Sequence, residues 1–192
     1  MATQPTAPPP TMNRKERHDR HTQMLTRYRK QRQRNLLAQP GCHDFILVLD
    51  NLKAGYNVPK IFRSAQAFGA KAIHLINIGP FDPAPGKGAF KQVPAHFHET
   101  FEECYQVLNR DGYTIYTLEP EKGLELGERP LPKKSVFIFG HEEQGISFDL
   151  TDYPSIERLK IAQFGSIQSL NVSIAASIVM YEQVRQHGTK HP

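Results

Sequence analysis

FILVLDNLKAGYNVPKIFRSAQAFGAKAIHLINI, residues 45–78, decides the fold of this chain. Its opening FILVLD (45–50) is apolar up to Asp50 and reads as a buried strand. NVPKIFRSAQAFG (57–69) reads as a helix closed by Gly69, and AIHLINI (72–78) as a second buried strand. Strands that are apolar throughout, joined by a helix, predict parallel pairing in a sheet covered on both faces.

The same texture continues outward. A loop rich in Gly and Pro (79–94) precedes a helix near 99–110 and the strand YTIYTL (113–118). SVFIF (135–139) is another buried strand, and RLKIAQ (158–163) leads to a last helix over 170–187. The expectation is an α/β domain with a mostly parallel sheet and helices on both faces. No internal repeat is visible. A chain of 192 residues allows one such domain with some extra sequence.

The extra sequence lies in front. PTAPPPT (5–11) is proline-rich and is expected to be extended or disordered, whereas 13–37 has no helix breaker and suits a helix that Pro40-Gly41 ends. Residues 1–40 hold nine Lys or Arg against two acids, a balance of +7; the rest, with fifteen bases and seventeen acids, carries −2. Basicity confined to one appendage fits an arm that neutralises phosphates and gains affinity by counterion release. The division is therefore a flexible arm at 1–40, Pro-rich and then basic, and a folded domain at 41–192. Arg27, Arg29, Lys30, Arg32 and Arg34 are the candidate nucleic-acid contacts, their planar forks suiting phosphate where they are arginines. The start lacks an apolar stretch behind its bases, and no run approaches the roughly 20 apolar residues of a membrane span. The expected protein is soluble and cytoplasmic, without a membrane partner. Cys42 and Cys104 cannot build a disulfide framework and are expected to be two buried thiols.

Several familiar sites fail on spacing. Gly86-Lys87 has no glycine at P-loop distance, and Gly88 stands where a Mg²⁺-binding Ser or Thr is required. No Gly-x-Gly-x-x-Gly follows the first strand. His141-Glu142 lacks the second histidine of a zinc-protease helix, and His96 and His98 flank Phe97 with no Cys or carboxylate ligand nearby in sequence. No metal is expected.

Three segments place polar residues at the edge of apolar elements. Asn57 stands near a helix start, where it can cap, with Arg63 nearly two turns on. In FIFGHEEQGIS (137–147) a buried strand runs into Gly140, Glu142 and Gly145, where an α/β sheet lets a ligand approach the backbone. In LKIAQFGSIQSLNVSIAASIVMYEQVRQH (159–187), Gly165, Ser169, Asn171 and Ser173 precede or enter a helix apolar on most sides, as at a subunit interface. Taken singly, each has a plain structural reading as cap, turn or core.

Together, in this order, the segments resemble motifs 1, 2 and 3 of the TrmH-like (SpoU) branch of the SPOUT methyltransferases, over about residues 44–188. Ser169-Leu170-Asn171 followed by an apolar helix ending in Tyr181-Glu182 is the most specific element. The resemblance implies a sheet whose C-terminal chain forms a deep trefoil knot, a homodimer, and bent S-adenosylmethionine held in the knot without a metal. It implies transfer of a methyl group to a ribose 2′-hydroxyl of tRNA or rRNA. Carried over by position, the cofactor pocket uses Leu118, Gly140, Ile161, Ser169 and Leu170, and the catalytic polar residues are Asn57, Arg63, Glu142, Ser169 and Asn171. Arginine is a poor base, so Arg63 is expected to stabilise the developing alkoxide and a neighbouring phosphate.

The chain departs from many relatives at Pro59-Lys60, where they carry Gly-Ala, and at Ile161-Ala162-Gln163, where they carry Ile-Pro-Met. The first crowds or recharges the RNA side, with Lys60 a further RNA contact; the second alters the pocket floor. The alternative is a noncatalytic RNA-binding protein that keeps the knotted fold.

Overall fold

A computed structural model describes residues 13–188; the PTAPPPT stretch lies outside them. Among the described residues seven strands form one sheet: β1 (Phe45–Asp50), β2 (Ala72–Ile76), β3 (Ala95–His98), β4 (Thr114–Leu118), β5 (Leu124–Glu125), β6 (Ser135–Phe139) and β7 (Glu157–Lys160). Their order is β3-β2-β1-β6-β4-β7-β5, and every pairing is parallel. All carboxyl ends therefore meet one edge of the sheet. In the same described residues four helices accompany it: α1 (Arg14–Asn35), α2 (Asn57–Ala67), α3 (Phe101–Arg110) and α4 (Val172–His187).

The apolar strands are the central ones, because a strand covered on both faces has no polar side to show. In β1, Phe45, Leu47 and Leu49 join the core beneath α1, α2 and α4, while Ile46 and Val48 join the core beneath α3. Phe137 and Phe139 of β6 point to the first core, and Val136 and Ile138 to the second. Alternation thus survives in the packing although both sets are apolar. β3 and β5, which the sequence does not announce, are short strands on the two edges. The Gly- and Pro-rich loop is more ordered than its composition suggests, with 3-10 turns at Ala84–Gly86 and Ala89–Lys91 and fully buried Phe81 and Phe90.

Helix α1 starts with a capping box between Asn13 and Glu16 and docks by its last two turns. Tyr28 is buried between Phe81 and Phe90. Buried Asn35 donates to the carbonyls of Phe90 and Val93 (2.7 Å for Val93) and accepts from the Ala95 amide at 3.0 Å. The packing of the domain thus extends into the segment before residue 40.

Only one thiol is buried: Cys104 is, whereas Cys42 is exposed in the connection between α1 and β1. The connection is tight, since a β-carbon on Gly69 would meet the Cys42 sulfur at 2.6 Å. Among the described residues no helix is long and apolar enough to cross a membrane.

Candidate cofactor and catalytic site

The sheet opens a cleft of about 810 Å³ at the carboxyl ends of β4 and β6, beside the segment that follows β7. In open parallel sheets ligands bind beyond the carboxyl ends of the strands where the strand order changes, as it does here with β6 inserted between β1 and β4. Leu118, Gly140, Ile161, Ser169 and Leu170, the five cofactor candidates, all line it. So do Glu142 and Asn171, Gln163 from the segment expected at the pocket floor, and Thr117 and Glu119, which the sequence reading did not assign.

The loop after β6 has a defined shape. His141 and Gly145 exchange backbone hydrogen bonds of 2.7 and 2.9 Å, with Gly145 at φ +75°. A β-carbon on Gly140 would lie 2.4 Å from the Gly145 carbonyl carbon, so only glycine fits where the loop folds back. Asp50, fully buried at the end of β1, accepts from the Ser147 amide at 2.6 Å and its hydroxyl at 2.7 Å. Burial pushes the Asp50 carboxyl above the usual range in spite of those two bonds. Asp50 therefore fixes the loop's far end, a role no motif marks.

At the mouth three polar residues form a chain. The Asn57 amide donates to Glu142 Oε1 at 2.8 Å, and the Asn171 amide donates to Asn57 Oδ1 at 3.2 Å. Asn171 Oδ1 caps α4, accepting from the Ser173 amide at 3.0 Å and its hydroxyl at 2.6 Å, which orients the opposite end of the Asn171 side chain toward Asn57. Partial burial works against the Glu142 charge, but the Asn57 amide and the backbone amides of Glu142 and Lys53 outweigh it, so the carboxyl is held below its ordinary range. The result is a fixed carboxylate. Asn57 does not cap α2: the cap position is Tyr56, and no side chain bonds there. Its amide is already engaged with the other two motifs.

Helices α2 and α4 run side by side in the same direction, touching at Asn57–Asn171, Ser64–Ser177 (2.8 Å) and Phe68–Tyr181 (ring centroids 6.3 Å apart). Arg63 stands exposed on α2 outside the cleft lining, and no described residue bonds its guanidinium. Lys60 is also exposed, but Pro59 is buried and abuts Gly86, whose β-carbon would meet the Pro59 oxygen at 2.7 Å. Pro59 therefore does not crowd an outer surface; of that pair, only Lys60 alters one. Along α1, Arg27 pairs with Asp82 at 2.7 Å and Arg32 lies 4.2 Å over the Phe97 ring, while Arg29, Lys30 and Arg34 are exposed.

A parallel α/β sheet with a cleft at its carboxyl edge, and a carboxylate–amide–amide chain at the cleft mouth, defines an α/β protein with a ligand-sized cleft edged by fixed polar groups. The chain belongs to the SpoU rRNA Methylase family, whose model matches residues 44–181. It is 30% identical over 148 residues to the tRNA (guanosine(18)-2′-O)-methyltransferase of Thermus thermophilus, covering 74% of this chain and 75% of that one. The fold is also that of the A. aeolicus TrmH/SpoU tRNA modifying enzyme, with a TM-score of 0.68, 23% identity and coverage of 85% and 83%. It matches equally the AdoMet-bound rRNA methyltransferase from Sinorhizobium meliloti, with a TM-score of 0.67, 22% identity and coverage of 79% and 59%. The architecture is therefore the α/β fold of the SPOUT methyltransferases.

Proposed function

We propose that this chain methylates a ribose 2′-hydroxyl of tRNA or rRNA with S-adenosylmethionine, acting as a cytoplasmic homodimer whose C-terminal segment is knotted through the domain. The observation that carries the reading is the convergence of Asn57, Glu142 and Asn171, from three separate segments, at the mouth of one cleft.

The cleft suits the methyl donor. Leu118, Ile161 and Leu170 offer apolar surface, and Glu119 and Glu142 offer negative charge to a cationic ligand. Thr117 and Gln163 line the cleft, and their Oγ1 and Oε1 atoms are buried with no hydrogen-bond partner among the described residues. Such groups cost about 1–3 kcal/mol each when left unmet, which a polar ligand relieves. When bound, S-adenosylmethionine supplies an electrophilic methyl group on sulfur. Asn57 and Asn171 hold the Glu142 carboxylate and help align the ribose hydroxyl, and Ser169 adds a hydroxyl to the same wall. Arg63, unengaged on α2, stabilises charge developing on the ribose oxygen and neutralises a phosphate beside it. The arm residues Arg29, Lys30 and Arg34, with Lys60, hold the RNA backbone, joined by Arg27 and Arg32 where they leave their present partners. Exposed Ile174 and Tyr181, two turns apart on α4, supply apolar surface for the second protomer.

Thr117→Val tests the pocket assignment. Removing an orphaned buried hydroxyl should leave the free protein as stable or more so, while calorimetry shows S-adenosylmethionine binding weakened roughly fivefold, about 1 kcal/mol. Unchanged affinity, or no donor binding by the wild-type protein, contradicts the assignment; the latter with RNA binding intact selects the noncatalytic alternative.

A further inference from the structure

His96 and His98 lie on the edge strand β3 and take no part in the cleft. In the parallel register His74 of β2 faces His96, and Ile76 faces His98, so all three histidines share the α3 face of the sheet. Cys104, fully buried on α3, comes down onto them. The ligand that sequence spacing did not supply is thus supplied by the fold.

The donor atoms converge. His74 Nδ1 lies 2.9 Å from His98 Nε2 and 3.4 Å from Cys104 Sγ, and all three atoms lie within 4.8 Å of one another. A tetrahedral zinc ion with bonds of about 2.0 Å to nitrogen and 2.3 Å to sulfur sets its ligands roughly 3.3–3.5 Å apart. The Cys104 contact at His74 Nδ1, 3.4 Å, falls within that spacing, and the His98 contact, 2.9 Å, is shorter and would open as an ion enters. Hydrogen bonding alone serves this trio poorly, since one imidazole nitrogen offers a single lone pair or a single proton to two neighbours. The His96 ring, 4.7 Å from that of His74 and on the exposed side, leaves a fourth position open to itself or to water.

We propose that His74, His98 and Cys104 bind one zinc-class divalent ion. Two imidazoles and a thiolate suit such an ion, and the thiol proton passes to water as the sulfur–metal bond forms. The ion would tie the four-residue strand β3, which among the described residues pairs only with β2, and helix α3 to the sheet. An edge strand fastened in this way is less available to pair with another chain.

Cobalt is the probe. Untagged, metal-free full-length protein titrated with Co²⁺ should take up one equivalent and show both a thiolate-to-cobalt charge-transfer band and the intense visible bands of tetrahedral cobalt. Cys104→Ser should abolish the charge-transfer band, His98→Asn should abolish tight uptake, and Cys42→Ser should change neither. Zn²⁺ should displace the cobalt and raise the melting temperature of the wild-type protein, but not that of His98→Asn, whose partly exposed position makes loss of folding a small risk. No cobalt uptake by the wild-type protein would show a hydrogen-bonded cluster only and overturn the proposal, as would a charge-transfer band that survives Cys104→Ser and vanishes in Cys42→Ser.

Discussion

Asn57 sits at the start of α2 without capping it, its side chain joining Glu142 to Asn171. Its position was readable in the sequence, but its partners were not, because they lie 85 and 114 residues away. Asp50 left no trace at all: an acid at the end of an apolar strand looks like the strand's exposed last residue, and only the fold brings Ser147 over it. The Glu142 carboxyl is held low against the effect of burial by donated hydrogen bonds, of which that from Asn57 is the largest. A carboxyl lowered in the folded state adds stability above its unfolded pKa and loses it as pH falls through the folded one, a window below about 4.5 here. Asn57→Ala leaves burial less opposed, so the Glu142 titration followed by carbon-13 NMR should move upward relative to wild type. An unmoved titration would show that the Asn57–Glu142 bond does not hold the charge.

At the scale of elements, legibility followed burial. β1, β2 and β6 were plain because central parallel strands are apolar end to end, and SVFIF matches β6 residue for residue. β3 and β5 were missed because edge strands of four and two residues need no such run, and in the AHFH sequence of β3 two of the four residues are histidines. The α1 helix was expected from its composition, but not its docking, which depends on Tyr28 and Asn35, two residues in a surface otherwise rich in Arg and Lys. Removing residues 1–36 would therefore uncover Phe81 and Phe90 as well as deleting charge. Asn35→Ala isolates that contact. It leaves two carbonyls and one amide without their partner, and a loss of about 1–3 kcal/mol in urea unfolding is expected even if water reaches part of the gap. A change below about 0.5 kcal/mol, the range of ordinary surface substitutions, would mean that α1 is only loosely attached.

On the scale of the molecule, the parallel sheet places the cleft, the Asn57–Glu142–Asn171 chain and the N-terminal ends of helices α2 and α4 at its carboxyl side, while the basic helix α1 packs on the face that those two helices cover. That arrangement puts the proposed donor pocket and the proposed RNA arm on one body of opposite charge balance, +7 before residue 41 and −2 after it. The central claim is methyl transfer to ribose, and Arg63 is its sharpest element, since it lies off the cleft with a guanidinium that no described residue bonds. The direct measurement is transfer of labelled methyl from S-adenosylmethionine to total RNA from cells lacking this gene, followed by mapping of the labelled nucleotide. Wild-type protein should label one ribose position as a 2′-O-methylnucleoside. Arg63→Ala should fold and bind the donor normally but turn over at least about 100-fold more slowly, the scale of a lost contact to a developing oxyanion. Label on a base, or no label from a wild-type protein that binds both donor and RNA, would contradict the account.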